Sequence, residues 1–189
     1  MKVSKLAQEY RKERIGLEFN ENSKGVWVIF SRIAGIKLTE SEYYDFKDKY
    51  NNYKSVTQTL PELDCKYFDK YTPMNSDTIW YVYPDSVCCM SNFIDNVVDI
   101  PIYPTDFYVE RDRDYKLRIY KTNDNQFSTM SSKFNKLIEY ANTRLYTDSP
   151  QGYVHGIDNY GTEDNELKLI IAPIDYDPTS SIKKLLGVE

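Results

Sequence analysis

A hairpin pattern near the middle of the chain constrains the fold more than any other feature of the sequence. Two segments rich in aromatic and β-branched residues, 106–110 and 115–121, are separated by four charged residues at 111–114. The second segment alternates polar with apolar residues, which predicts a strand with one face in contact with water. Segments 78–83 and 97–103 have a similar composition and are predicted to be further strands. We therefore expect antiparallel pairing to dominate this part of the chain.

Helical patterns lie on both sides of these strands. Thr39 and Glu42 match a capping box, in which the threonine oxygen accepts from the amide three residues on and the glutamate reaches back. Met130, Phe134 and Leu137 belong to the most regular helical spacing of apolar residues in the chain. The predicted helices are 3–15, 39–53, 128–145 and 178–186.

The remaining segments of the chain are predicted to add strands and loops to these helices. Residues 166–174 predict a buried strand, whereas residues 26–38 fit a strand or a helix, and both interpretations stay open. Residues 147–165 are rich in Gly, Asn and Asp and are expected to form a long loop. We expect a single domain over residues 1–189, with a sub-boundary in the polar loop 54–77 as the alternative. The predicted fold class is α+β, with a largely antiparallel sheet, three main helices and a short C-terminal helix.

Composition indicates which kind of genome encodes the chain and which kinds of partner it binds. There are 18 tyrosines against 7 glycines, and this preference for residues with AT-rich codons favours the genome of a phage or mobile element. The formal net charge is −5, so no basic face is indicated and direct nucleic-acid binding is not expected. No segment has the pattern of a signal peptide, and no apolar run approaches the roughly 20 residues of a membrane span. We expect a cytoplasmic protein, in the host cell if phage-encoded, without membrane contact.

Candidate catalytic residues are few. Asp114 and Lys116 form an Asp-x-Lys string of the kind used by metal-dependent nucleases, and hairpin pairing would bring Asp106 towards them, although a solvated hairpin tip explains the same residues. The single histidine, His155, lies between glycines in the predicted loop, where it is accessible and can act with Asp158. No Gly-x-Ser-x-Gly nucleophile motif is present. One histidine and three scattered cysteines form no zinc pattern, so neither a metal nor a cofactor is expected.

The tyrosine excess is the most suggestive feature for function. Tyrosine offers a large contact area at low entropic cost together with a hydroxyl, and it is enriched in binding surfaces. Acidic groups in the same segments would steer a basic partner towards those tyrosines. The candidate partner-binding residues are Tyr44, Tyr53, Tyr153, Asp158, Tyr160, Glu163 and Asp164.

These observations predict a non-enzymatic binding function. The leading hypothesis is a small acidic phage or mobile-element protein that binds and inhibits or modulates a host protein with a basic surface. A nucleic-acid-binding defence nuclease would be such a host protein, which corresponds to an anti-CRISPR-like role. The first alternative is a metal-dependent nuclease or hydrolase that uses Asp106, Asp114 and Lys116. The second is a virion structural or assembly protein, for which we would expect a homo-oligomer.

Overall fold

The described part of the chain forms two compact units. The computed structural model describes residues 2–19, 25–31, 33–53, 59–63, 79–82, 87–90, 99–112, 115–172, 174 and 179–186. The first unit contains the chain up to residue 96 together with 139–141, and the second contains 97–138 and 142–189. Antiparallel strands and helices occur together, so the fold class is α+β. The single domain over residues 1–189 stays a prediction.

The first unit contains a five-stranded antiparallel sheet with the order β5-β4-β1-β2-β3. Its strands are β1 (Ile15–Glu18), β2 (Val26–Phe30), β3 (Ala34–Leu38), β4 (Ile79–Val82) and β5 (Val87–Met90). Val28 pairs with Leu17 on one side and with Ile36 on the other. Every residue of β2 is buried, as its uninterrupted apolar sequence requires. Residues 26–38 are therefore two strands of a hairpin, and the helical alternative is wrong.

Two helices lie in the described residues of the first unit, α1 (Val3–Glu9) and α2 (Glu40–Asn51). The capping box at the start of α2 is confirmed, because Thr39 Oγ1 accepts from the Glu42 amide at 3.2 Å and Glu42 Oε2 accepts from the Thr39 amide at 2.9 Å. The buried face of α2 includes Tyr43, Phe46 and Tyr50. Helix α1 is shorter than the predicted 3–15, since the chain leaves the helix after Glu9 to place Ile15 in β1.

The second unit contains a six-stranded antiparallel sheet with the order β11-β10-β9-β6-β7-β8. Its strands are β6 (Ile100–Asp112), β7 (Tyr115–Thr122), β8 (Phe127–Ser131), β9 (Arg144–Thr147), β10 (Val154–Asp158) and β11 (Glu166–Ile171). The predicted hairpin is confirmed in β6 and β7. Strand β6 joins the two segments that were predicted as separate strands, and it runs through Pro101 and Pro104.

The predicted helix over 128–145 is wrong at both ends. Residues 127–131 form β8, and a 3₁₀ turn at Ser132–Phe134 leads into the short helix α3 (Asn135–Ala141). Helix α3 stops because Asn142 adopts the left-handed conformation with φ 50°, which asparagine tolerates well. The chain then enters β9, so the apolar residues on the helical spacing are divided among three elements.

The long loop predicted over 147–165 is also wrong, because β10 lies within it and pairs with β9 and β11. The predicted buried strand at 166–174 is confirmed in β11, and the closing helix is confirmed as α4 (Thr179–Leu186). Of the loop predicted over 54–77, only residues 59–63 are described. No helix in the described ranges has the length and hydrophobicity needed to cross a membrane.

Candidate binding site

The residues proposed for metal-dependent hydrolysis are not brought together in the described part of the hairpin. Lys116 pairs across the strands with Glu110, and its Nζ lies 3.0 Å from Glu110 Oε1. Asp106 lies in a register shift opposite Ile119, three residues along β7 from Lys116, which corresponds to roughly 10 Å. Asp114 lies outside the described residues. Among the residues that are described, no three His, Cys, Asp or Glu side chains form a group that could hold a metal ion.

His155 is buried within β10, so the prediction of an accessible loop histidine is wrong. It pairs with Tyr146 of β9 on one side and with Ile170 of β11 on the other, and it is 2% exposed. Burial lowers the pKa of the imidazole, and the carboxylate of Asp148 opposes part of that change. The flanking Gly156 is packed rather than mobile, because a Cβ at this position would lie 2.3 Å from Thr143 Oγ1.

Two of the tyrosines proposed for partner binding belong to the first unit and are half-buried. The hydroxyl of Tyr44 accepts from the Leu63 amide at 3.4 Å, and its ring packs edge-on against Tyr43. Tyr53 follows the end of α2 and is likewise half-buried. Neither side chain is fully exposed.

The other five proposed partner-binding residues lie in or beside β10 and the turn that follows it. Tyr153 precedes the strand, Asp158 ends it and forms an ion pair with Lys168, and the remaining three are exposed in the turn. We call residues 159–165 the acidic turn, after Glu163 and Asp164.

The acidic turn has a defined backbone. Asn159 and Gly161 both have positive φ, at 51° and 83°, so Tyr160 is carried between two left-handed residues. Thr162 anchors the turn, because its amide and its hydroxyl both donate to the Asn159 carbonyl oxygen, at 3.1 and 2.8 Å. The Tyr160 ring stacks on Tyr146 of β9, with ring centroids 4.0 Å apart, although 39% of Tyr160 stays exposed. The turn therefore presents an aromatic ring that is already held in place.

A bulge in β6, which the sequence did not reveal, exposes a second aromatic group. Three residues, 105–107, stand opposite the single residue Ile119. Thr105 Oγ1 fixes the bulge by donating to the Ile119 carbonyl oxygen at 2.8 Å and accepting from the Phe107 amide at 3.2 Å. The large side chains exposed around the bulge are Tyr103, Phe107 and Tyr108. Pro104, next to the bulge, was the available signal, since proline inside a strand often marks an irregularity.

The second unit also contains a cavity of about 720 Å³, which we call the Arg118 pocket. Strands β6, β7 and β9 contribute apolar residues such as Ile102 and Leu145, and α3 contributes Ile138. The polar and aromatic residues that line it include Arg118, Tyr120, Thr143, Arg144, Tyr146 and Tyr160. Its volume lies within the roughly 300–1,000 Å³ that is typical of small-molecule sites.

Arg118 lines the cavity, and its side chain is oriented by neighbouring residues. Its Nε donates to the Thr105 carbonyl oxygen at 3.1 Å, and its guanidinium carbon lies 5.8 Å from the ring centroids of both Tyr108 and Tyr120. Across the described residues, no carboxylate is in ion-pair contact with Arg118 or Arg144. Two arginines thus line one cavity without a carboxylate in ion-pair contact among the described residues, in a chain whose net charge is −5.

Tyr120 places a buried hydroxyl beside this guanidinium. Only 1% of the residue is exposed, and its Oη has almost no accessible surface. Burial raises the pKa of the phenol to about 12, and the positive charge of Arg118 opposes part of the rise. The phenol is therefore a neutral hydrogen-bond donor at physiological pH.

The chain was compared with protein-family models, curated proteins and solved structures, and no significant match was found in any of the three comparisons. The assignment of the site therefore rests on the geometry of the described residues.

Proposed function

We propose that this chain is a binding protein that docks onto a basic surface of a partner protein through the acidic turn. The observation that carries this proposal is the half-exposed ring of Tyr160, fixed against Tyr146 and followed by the exposed acids Glu163 and Asp164. The codon preference favours a phage or mobile element as the source. The partner that we propose is therefore a host protein, such as a defence nuclease with a basic nucleic-acid surface.

A fixed aromatic side chain is well suited to act as an anchor. Binding normally costs the entropy of ordering the side chains at the interface, and the stack on Tyr146 has already removed part of that cost for Tyr160. Aromatic anchors in a ring of polar residues are the usual centres of binding energy. The two carboxylates beside the ring would raise the association rate with a positively charged surface.

The aromatic side chains at the β6 bulge extend the contact area available in the same unit. Tyr103, Phe107 and Tyr108 are 52%, 45% and 41% exposed. Clusters of exposed apolar side chains are uncommon on proteins that have no partner. Their presence supports the second unit, rather than the half-buried tyrosines of the first, as the docking unit.

Site-specific photo-cross-linking tests the proposal. A benzoylphenylalanine at exposed Asn165 should capture a host protein from a lysate of the bacterial host, whereas the same group at exposed Asp124, in the β7–β8 turn, should not. The double variant Glu163→Lys/Asp164→Lys should lose the cross-link, and Tyr160→Ala should weaken it about tenfold or more.

The matched control is Asp48→Lys/Asp124→Lys, which changes the net charge by the same amount at exposed acids outside both the acidic turn and the β6 bulge. It should keep the cross-link from position 165. Equal capture from positions 165 and 124, or capture that survives the reversal at Glu163 and Asp164, would contradict docking through the acidic turn. Cross-links formed only between two copies of the chain would contradict it as well, and would favour the assembly alternative.

A further inference from the structure

We propose that the Arg118 pocket binds a nucleoside monophosphate. The inference shares Tyr160 with the docking surface but does not depend on docking. It rests on three features of the cavity lining: two arginines without a carboxylate in ion-pair contact among the described residues, the exposed ring of Tyr160 at one side, and a volume that fits a nucleotide. Together they specify a ligand with an anionic group and a flat ring.

The two arginines select for a phosphate group. Guanidinium presents its donors in a planar fork that matches phosphate oxygens, and two guanidinium groups complement the charge of a phosphate monoester dianion. Arg118 is oriented through its Nε by the Thr105 carbonyl oxygen, which leaves the terminal nitrogens to face a ligand. No lysine is found among the described residues that line the cavity.

A carboxylate in the lining supports a polar ligand rather than an apolar one. Asp99 is the one carboxylate in the described lining, and it can accept a hydrogen bond from a ribose hydroxyl.

The aromatic residues and the volume select for a nucleoside rather than inorganic phosphate. The exposed ring of Tyr160, backed by Tyr146, offers a face to a nucleobase, and stacking of a base on an aromatic side chain is worth roughly 1–3 kcal/mol. Inorganic phosphate would leave most of the 720 Å³ cavity unfilled.

Calorimetric titration of the full chain with adenosine 5′-monophosphate, adenosine and inorganic phosphate tests the proposal. We expect the nucleotide to bind with a stoichiometry of one and to bind more tightly than either fragment. Arg118→Gln should weaken nucleotide binding about tenfold or more, because a charge-assisted contact is lost. The control Lys121→Gln removes an exposed cation from the same strand and should change the affinity less than about twofold. Absence of nucleotide binding at about 1 mM would overturn the proposal.

The nucleotide and docking proposals fail separately. Glu163→Lys/Asp164→Lys, which removes docking as proposed above, keeps Arg118 and Tyr120 and should still bind the nucleotide. Arg118→Gln should keep the cross-link from position 165. Loss of nucleotide binding in the first variant would contradict a site centred on Arg118.

Discussion

The ring of Tyr160 stacks on the ring of Tyr146, with ring centroids 4.0 Å apart and 17° between the ring planes. Tyr146 belongs to β9 and is 5% exposed, so the stack joins an exposed turn to the buried sheet. The stack therefore adds a side-chain contact to the backbone hydrogen bonds that hold the turn.

The contribution of the Tyr146–Tyr160 stack should be measurable both in the free energy of unfolding and in the rate of amide hydrogen exchange. Tyr160→Ala is expected to destabilise the protein by about 1 kcal/mol, which is typical of an aromatic pair, and to speed hydrogen exchange at the Thr162 and Asn165 amides. Tyr160→Phe keeps the ring, so its free energy of unfolding and its exchange rates should match those of the unmodified chain. Chemical denaturation and amide exchange by NMR provide the measurements. Unchanged exchange in Tyr160→Ala would show that the turn is held by its backbone alone.

Gly156 should tolerate no side chain. A Cβ at this position would lie 2.3 Å from Thr143 Oγ1 and 2.7 Å from Leu169 Cβ, so Gly156→Ala is expected to cost about 1–3 kcal/mol of unfolding free energy. The control is Gly35→Ala in β3, where the nearest atom would be 3.4 Å away and the strain should be smaller. Urea denaturation compares the two, and equal losses would contradict close packing at Gly156.

The capping box of α2 should contribute about 1 kcal/mol. Thr39→Ala removes the oxygen that accepts from the Glu42 amide, whereas Thr39→Ser retains it, so only the first variant should be destabilised by this amount in urea denaturation. Glu42 also accepts a hydrogen bond from the Tyr140 hydroxyl at 2.7 Å. Glu42→Ala should therefore lower the free energy of unfolding more than Thr39→Ala does. The reverse order would be inconsistent with Glu42 bonding both Thr39 and Tyr140.

Tyr120 should make stability fall at alkaline pH. Its pKa is raised from 10.0 to about 12 in the folded chain, so the fold favours the protonated phenol. This contribution is complete below pH 10 and declines as pH rises from 10 towards 12, with a loss of about 1 kcal/mol by pH 11. Tyr120→Phe should lose less stability than the unmodified chain between pH 9 and pH 11. Parallel loss in both proteins would contradict a raised pKa.

His155 should make stability fall at mildly acid pH. Burial lowers its pKa below the ordinary value of 6.5, so the unfolded chain binds the proton more readily than the folded chain. The stability is complete above pH 6.5 and declines as pH falls below it. The unmodified chain should lose more unfolding free energy between about pH 7.5 and pH 5.5 than His155→Gln, measured by urea denaturation at each pH. An equal loss would show that carboxylates alone set the acid dependence.

Local chemistry made part of the fold predictable. The capping box joins residues only three positions apart, so Thr39 and Glu42 define the start of α2 without reference to the rest of the chain. The hairpin of β6 and β7 is similarly local, since its strands are adjacent in sequence and alternate in polarity. Among the proposed site residues, Tyr160, Glu163 and Asp164 were predictable as an exposed group because they share one short turn.

Longer-range pairing decided the rest. Apolar residues from Met130 to Leu145 fit a helix by spacing, yet β9 pairs with β6, whose residues lie more than 40 positions earlier, as well as with β10. The pairing of β10 with its neighbouring strands also buries His155. In the same unit, Arg118 Nε donates to the Thr105 carbonyl oxygen, a contact that depends on the three-residue bulge in β6.

The sequence by itself determined the α+β class, the antiparallel hairpin and the capped helix, because each follows from residues close together in the chain. Only the tertiary structure decided which tyrosines are core and which are surface, and that Arg118, Tyr120 and Arg144 line one cavity. Periodicity assigns a side chain to a face of its own element, whereas a cavity depends on the register between elements that are distant in sequence.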